Sequence, residues 1–230
     1  MAFSSLLVRK TMKVALIGSS GFVGKHVQKE LLQRGHEVTV MVRKSGGVAP
    51  QEGLNVVTGD AYSSESVENA VRGHDAVVSA FNPGWNDPEL FDNFLRGHDA
   101  IVRGVEASGV RRLVVIGGAG SLFVAPGVQL VDTEAFIAHV PPNIQPGARA
   151  ARDALNTMRS NTTLDWTFVS PPAFLVEGER TGTYRLGAED LLMDGDKPAG
   201  ISVADLAVAI VDELETPRYI KGRFTAAREA

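Results

Sequence analysis

The chain has no cysteine. That removes disulfides, thiolate nucleophiles, cysteine-ligated zinc and iron–sulfur clusters together, and it says little about compartment. No apolar run approaches the ~20 residues of a membrane-spanning helix. The opening Met1-Ala-Phe-Ser-Ser-Leu-Leu-Val-Arg9 has too short an apolar core for a secretory signal. A cytoplasmic protein with no membrane partner is the expectation. The formal net charge of −4 argues against nucleic acid as the main partner. His26, His36, His74 and His98 show no metal-ligand spacing, so no metal is expected. Two further gaps bear on chemistry: there is no Lys between Lys44 and Lys197, and no Tyr between Tyr62 and Tyr184.

What is present is a regular alternation of apolar strands and amphipathic helices. Strands are expected at Lys13–Ile17, 37–43, 55–58, 75–80, Arg112–Ile116 and 164–169, with a last edge strand at 223–226. Helices are expected at 22–33, ended by Gly35, and at 65–71. A long helix opened by Asp87 and Pro88 runs to Gly109, and others lie at 129–138, 146–159 and 202–214. Ser202 and Asp205 form the capping box of the last. Near-continuous apolar strands alternating with helices indicate an α/β fold, a doubly wound parallel sheet covered on both faces. At 230 residues one domain is expected from residue 12 onward. Residues 1–11 are expected to be a flexible extension, with an alternative start at Met12 as the other reading, and residues 171–200 are expected to form a small, variable substrate lobe. The pentapeptide Arg-Gly-His-Asp-Ala occurs at 72–76 and 96–100 in different contexts, which marks coincidence rather than a repeat.

Directly behind the first strand stands Gly18-Ser-Ser-Gly21-Phe-Val-Gly24. A strand, a glycine turn and a helix in this order suit a dinucleotide pyrophosphate. The turn lets backbone approach the phosphates, and the helix N-terminus offers free N–H groups and a positive dipole end. Gly18, Ser20, Gly21, Phe22, Val23 and Gly24 are therefore cofactor candidates, with a purely structural turn as the alternative.

NAD-binding versions of this arrangement place a carboxylate ~20 residues past the glycines to grip the ribose 2′-OH. Here the position is Arg43, followed by Lys44, and no carboxylate occurs between Glu37 and Glu52. A guanidinium holds a 2′-phosphate with two hydrogen bonds, which favours NADP over NAD. Asp60 and Ala61, after the third strand, are placed to meet the adenine; a turn aspartate is the plainer alternative. Ser79, Ala80 and Phe81 end the fourth strand, and Gly117 and Gly118 end the fifth. Both sets lie at the carboxyl edge, where small residues allow the ribose and nicotinamide to approach.

Gly18-x-x-Gly21-x-x-Gly24, Arg43, Gly59-Asp60, Gly-Gly-Ala-Gly-Ser at 117–121 and Trp-Thr-Phe-Val-Ser-Pro-Pro at 166–172 occur together. With them the chain resembles the atypical short-chain dehydrogenase/reductases, in the NmrA-like and flavin (biliverdin B) reductase-like branch. The resemblance covers nearly everything from Met12 onward. It implies a single Rossmann domain with a small C-terminal lobe, an NAD(P)H cofactor, and Pro171 and Pro172 beside the nicotinamide.

Typical short-chain dehydrogenases carry a Tyr and a Lys four apart on the helix after the fifth strand, and move a proton with them. That helix here reads Ala148-Arg149-Ala150-Ala151-Arg152. The absence disfavours alcohol–ketone interconversion and sugar-nucleotide epimerisation or dehydration. It leaves hydride transfer to a flat conjugated acceptor such as a flavin or quinone, where solvent supplies the proton. A non-catalytic NADP(H) sensor suits the same absence, and an NAD-dependent epimerase or dehydratase stands third. Phe81, Trp85, Phe123 and Phe174 are candidates for an apolar floor under the acceptor or for the core. Tyr184 and His139 are the remaining candidate acids. Ser121, lacking a basic partner, has no claim as a nucleophile.

Overall fold

In a computed structural model, residues 11–44 and 48–229 are described. The expected N-terminal extension lies outside them except for Thr11. In the first half, β1 (Lys13–Ile17) leads to α1 (Gly24–Gln33), β2 (Glu37–Val42), β3 (Leu54–Thr58), α2 (Ser64–Val71), β4 (Ala76–Ser79), α3 (Leu90–Ser108) and β5 (Arg112–Ile116). In the second, β6 (Phe123–Ala125) and β7 (Val128–Gln129) form a small hairpin, followed by α4 (Glu134–His139), α5 (Gln145–Arg159) and β8 (Asp165–Val169). The C-terminal part holds the short strands β9 (Phe174–Val176), β10 (Arg185–Gly187), β11 (Met193–Asp194), β12 (Lys197–Pro198) and β13 (Gly200–Ser202), then α6 (Val203–Glu215) and β14 (Gly222–Ala227).

Eight strands make the main sheet, in the order β10-β14-β8-β5-β4-β1-β2-β3. All its neighbours are parallel except β10 on β14. The sheet is a Rossmann-type doubly wound one. Its strand order reverses between β1 and β4, the switch point where open α/β sheets bind ligands beyond the carboxyl ends. Apolar side chains leave both faces. One set packs with α1 and α6 through Val27, Leu31, Leu206 and Ile210. The other packs with α2, α3 and α5 through Val67, Ile101, Ala154 and Met158. Burial on both faces is why the strands read as continuous apolar runs.

Several expected boundaries shift for local reasons. α3 opens at Leu90, not at Asp87. Asp87 caps a preceding turn instead, accepting the Glu89 N–H at 2.9 Å and the Asn93 amide at 2.9 Å. α1 opens at Gly24, two residues later than expected. The helix expected at 129–138 is broken. A single 3-10 turn covers Leu130–Asp132, and the Thr133 hydroxyl then caps α4 by accepting the Phe136 N–H at 3.1 Å. The strand expected at 223–226 is present as β14, but it is not an edge, because β10 adds to it from outside. At the other boundaries the sequence pattern holds. Gly35 and Gly109 both adopt positive φ where α1 and α3 end, and Ser202 caps α6 by accepting the Asp205 N–H at 3.0 Å.

Candidate cofactor and substrate site

The glycine turn follows β1 at the carboxyl edge, beside the switch point. Gly18 has φ +83°, and a Cβ there would lie 2.4 Å from the Ala80 carbonyl oxygen at the end of β4. A Cβ on Gly24 would lie 2.1 Å from the Gly18 carbonyl oxygen. These two glycines let the turn, β4 and α1 close on one another. Gly21 differs, because its missing Cβ would meet only the Gly18 oxygen, at 3.3 Å. Ser20, Gly21 and Phe22 are exposed and Val23 is half-buried. Among the described residues no acceptor takes the backbone N–H of Ser20, Phe22 or Val23. Free donors on a close-packed turn before a helix fit a pyrophosphate.

Arg43 stands one residue beyond β2, exposed, with Lys44 beside it. Neither side chain makes a hydrogen bond or ion pair with the described residues. Asp60 is exposed and acts first on its own turn. Its Oδ1 accepts the Tyr62 N–H at 2.9 Å, and its own N–H donates to the Ser66 hydroxyl at 2.9 Å. Ala61 is half-buried next to it. At the end of β4, Ser79 is buried and the Ala80 N–H donates to the Ile17 carbonyl at 2.9 Å. Phe81 turns inward. Its ring packs edge-on to Tyr62 with centroids 5.6 Å apart, and it fills the space a Gly97 side chain would need.

Beyond β5, the missing side chain of Gly117 is replaced by the Phe168 ring, 2.1 Å from an ideal Cβ. The core therefore requires this glycine whatever lies above it. Gly118 has only the Ala151 methyl of α5 nearby, at 3.7 Å. Pro171 is buried just past β8. Ser121 is also buried, its hydroxyl within 3.1 Å of Ser170 and accepting from Arg223 at 3.0 Å.

The two candidate acids lie elsewhere. The Tyr184 hydroxyl donates to Asp212 on α6. Burial and then the Asp212 carboxylate push its pKa up, away from proton exchange near neutrality. With Met12, Asp75 and Arg218 it lines a groove reaching the amino edge, at the opposite end of the sheet from the glycine turn. His139 is exposed in the last turn of α4, its Nδ1 2.8 Å from the Ala135 carbonyl of its own helix. The four candidate aromatics do not form one floor. Phe81 is half-buried against the core and Phe123 is near the Arg223 guanidinium. Trp85 and Phe174 line separate clefts.

Sequence reasoning missed the charged contacts that tie the C-terminal lobe to the rest of the chain. Arg223 on β14 donates to the Ser121 carbonyl at 2.8 Å and pairs with Glu189, fixing the turn after β5 to the C-terminal lobe. Burial pushes its pKa down, and Glu189 opposes the shift. Glu177, just past β9, bonds Lys25 Nζ at 2.7 Å and lies 3.2 Å from His26 Nε2, so the lobe clasps the first turn of α1. No periodicity in the sequence announces either contact. Among the described residues no helix is long and apolar enough to cross a membrane.

A glycine turn with free backbone donors at the switch point of a doubly wound sheet is the architecture of a dinucleotide-binding Rossmann protein. The chain belongs to the NAD(P)H-binding family, which it matches over residues 18–217, within the atypical, NmrA-like short-chain dehydrogenase/reductases. It is 36% identical to the uncharacterised protein YwnB of Bacillus subtilis, over 95% of this chain and 100% of that one. A crystal structure from Bacteroides thetaiotaomicron, described as a candidate epimerase, superposes with a TM-score of 0.87 at 41% identity, covering 96% of this chain and 99% of the other. A second, from Streptococcus pneumoniae and described as a candidate NADH-flavin reductase, gives 0.81 at 32%, covering 95% and 100%.

Proposed function

We propose that the protein is an NADPH-dependent oxidoreductase that passes hydride to a flat conjugated acceptor, a flavin, a quinone or a similar ring system. The observation that carries this reading is the wall opposite Gly118. It is the Ala151 methyl of α5, on the helix where a proton-transferring Tyr and Lys would stand. When bound, NADPH supplies a hydride, two electrons with one proton, and the acceptor takes its second proton from water to give the dihydro form. The chain's own part is placement. Ser20, Phe22 and Val23 offer backbone donors to the pyrophosphate, and Arg43 with Lys44 receives the 2′-phosphate. Asp60 keeps its second carboxylate oxygen for the adenine amine, and Gly118 and Pro171 border the nicotinamide. Proximity and orientation alone lower the barrier by several kcal/mol when the acceptor needs no acid–base partner. Residues 12–230 act as one unit, with residues 171–200 as a small variable lobe of it.

The same bare wall supports a second reading, an NADP(H) sensor that binds both redox forms without turnover. The epimerase reading suffers from the missing proton carrier and from Arg43. One titration separates them. Nicotinamide fluorescence is followed with NADPH and NADH, and FMN, riboflavin and a quinone are then added to the tighter complex. The reductase reading expects NADPH to bind at least tenfold tighter, Arg43→Ala to erase that preference, and an acceptor to drive oxidation. Tight binding without turnover across acceptors favours the sensor, and failure of both nucleotides to bind overturns all three.

A further inference from the structure

A cleft of about 430 Å³ opens between the loop after β4 and the start of α5. Both elements lie at the carboxyl edge, and the volume is within the ~300–1,000 Å³ of small-molecule sites. Trp85, Leu90, Phe91 and Pro146 give it apolar walls. Its charged groups are all of one sign. Asp87, Glu89 and Asp92 line it, and no Lys, Arg or His does; Arg149, one turn into α5, is not part of the lining.

The Trp85 indole is 48% exposed on a loop that is nevertheless held. The Asn143 amide donates to the Trp85 carbonyl at 3.3 Å, and the ring lies 3.0 Å from an ideal Cβ on Gly147. A large aromatic surface fixed in an open cleft is a platform for another ring. The Asp87 carboxylate is engaged by Glu89 N–H and Asn93. The side chains of Glu89 and Asp92 make no hydrogen bond or ion pair among the described residues. Asp92 complements the N-terminus of α3, which offsets about half a charge of the three. The opposite end of the same edge carries Arg43 and Lys44. The site is thus polarised, basic where the 2′-phosphate would lie and acidic where Trp85 stands.

We infer that this cleft holds the hydride acceptor and selects it by charge, admitting uncharged flat ring systems and rejecting phosphorylated ones. The inference rests on the reductase reading above, whose hydride and water proton reduce the acceptor. Stacking on Trp85 is indifferent to a remote phosphate, so the ring gives affinity. Repulsion from Glu89 and Asp92 gives discrimination. Riboflavin and FMN share one isoalloxazine ring and differ by a phosphate, and they read the effect directly.

The test compares NADPH oxidation by riboflavin and by FMN at low ionic strength. The expected kcat/KM for riboflavin is at least tenfold that for FMN. The ratio falls toward one in the double variant Glu89→Gln/Asp92→Asn, because FMN gains, and in 0.5 M salt, which screens exposed charges. Trp85→Ala raises the KM for riboflavin about tenfold and leaves the NADPH Kd unmoved. Equal or better use of FMN, or a ratio that the double variant does not move, overturns the charge selection while the reductase reading stands. If NADPH binds and neither flavin is reduced, the reductase reading fails. The cleft is then judged by flavin fluorescence with NADP⁺-loaded protein. Riboflavin bound more tightly than FMN and lost in Trp85→Ala supports it, and no binding of either overturns it.

Discussion

His98 is buried in α3 with its Nε2 lacking a partner. Burial drives its pKa down to about 4, with Asp99 pulling weakly the other way. The unfolded value is near 6.5, so between those limits the unfolded chain binds a proton that the folded chain refuses. Stability is full above pH 6.5, falls as pH drops through the window, and levels off below about 4. At pH 5 the loss comes to about 2 kcal/mol, out of a total near 3 kcal/mol. Urea unfolding at pH 7 and pH 5 checks this against His98→Leu, which removes the titrating group and its orphaned nitrogen together. The wild type is expected to lose about 2 kcal/mol more than the variant. An equal loss in both would mean that His98 does not carry the dependence.

At the scale of elements, α6 is tied to the sheet by one buried carboxylate. Glu213 accepts from Arg112 at 3.0 Å and from Thr167 at 3.0 Å. It also receives the N–H groups of Arg218 and Tyr219 at 2.9 and 3.1 Å. It thereby joins β5, β8, α6 and the turn into β14. Burial pushes the Arg112 pKa down, and the Glu213 carboxylate opposes this. Glu213→Leu strands the Arg112 guanidinium and is expected to cost about 3–5 kcal/mol in urea unfolding. Adding Arg112→Met should recover part of that loss, and full additivity of the two variants would contradict a coupled pair.

Contacts of this kind explain what the sequence showed and what it hid. β1 and β5 were legible to the residue because continuous apolar runs bounded by turn residues have one reading in an α/β chain. α6 was legible because Ser202 and Asp205 announce its start. β10 was not, since Arg-Leu-Gly has no period to detect and pairs only through β14. The broken helix at 129–138 was hidden because Thr133 can sit inside a helix or cap one, and the neighbouring hairpin decides which. The sequence puts the glycine turn behind β1 and Arg43 just past β2, where the structure has them; the roles proposed for them rest on that placement. Tyr184 misled, because only the folded chain shows its hydroxyl bound to Asp212 at the far groove. Trp85 and Glu89 went unweighed as a pair because the loop over 80–89, between β4 and α3, carries no periodic pattern.

Over the whole molecule, the C-terminal lobe is closed onto the first helix by charge. Arg180 bonds Glu30 at 2.7 Å, and Arg34 joins Glu30 to Asp212 and Glu215 on α6. Nearer the edge, Glu177 holds Lys25, and that contact sits on the first turn of α1, where the pyrophosphate of a dinucleotide would lie. The Lys25 hydrogen bond is the main reason the Glu177 carboxyl lies below its ordinary range. Its negative charge therefore stands close to an incoming polyanion and occupies the lysine that would otherwise meet it. Glu177→Gln removes the charge and frees Lys25, at a solvent-exposed position that bears little on folding. NADPH binding to this variant is expected to tighten several-fold at 20 mM salt, with an unchanged melting temperature. The gain should vanish by 0.5 M salt, where the screening length falls to a few ångströms. Weaker binding would instead mean that Glu177 orders the lobe for the cofactor, and that the clasp works by geometry and not by charge.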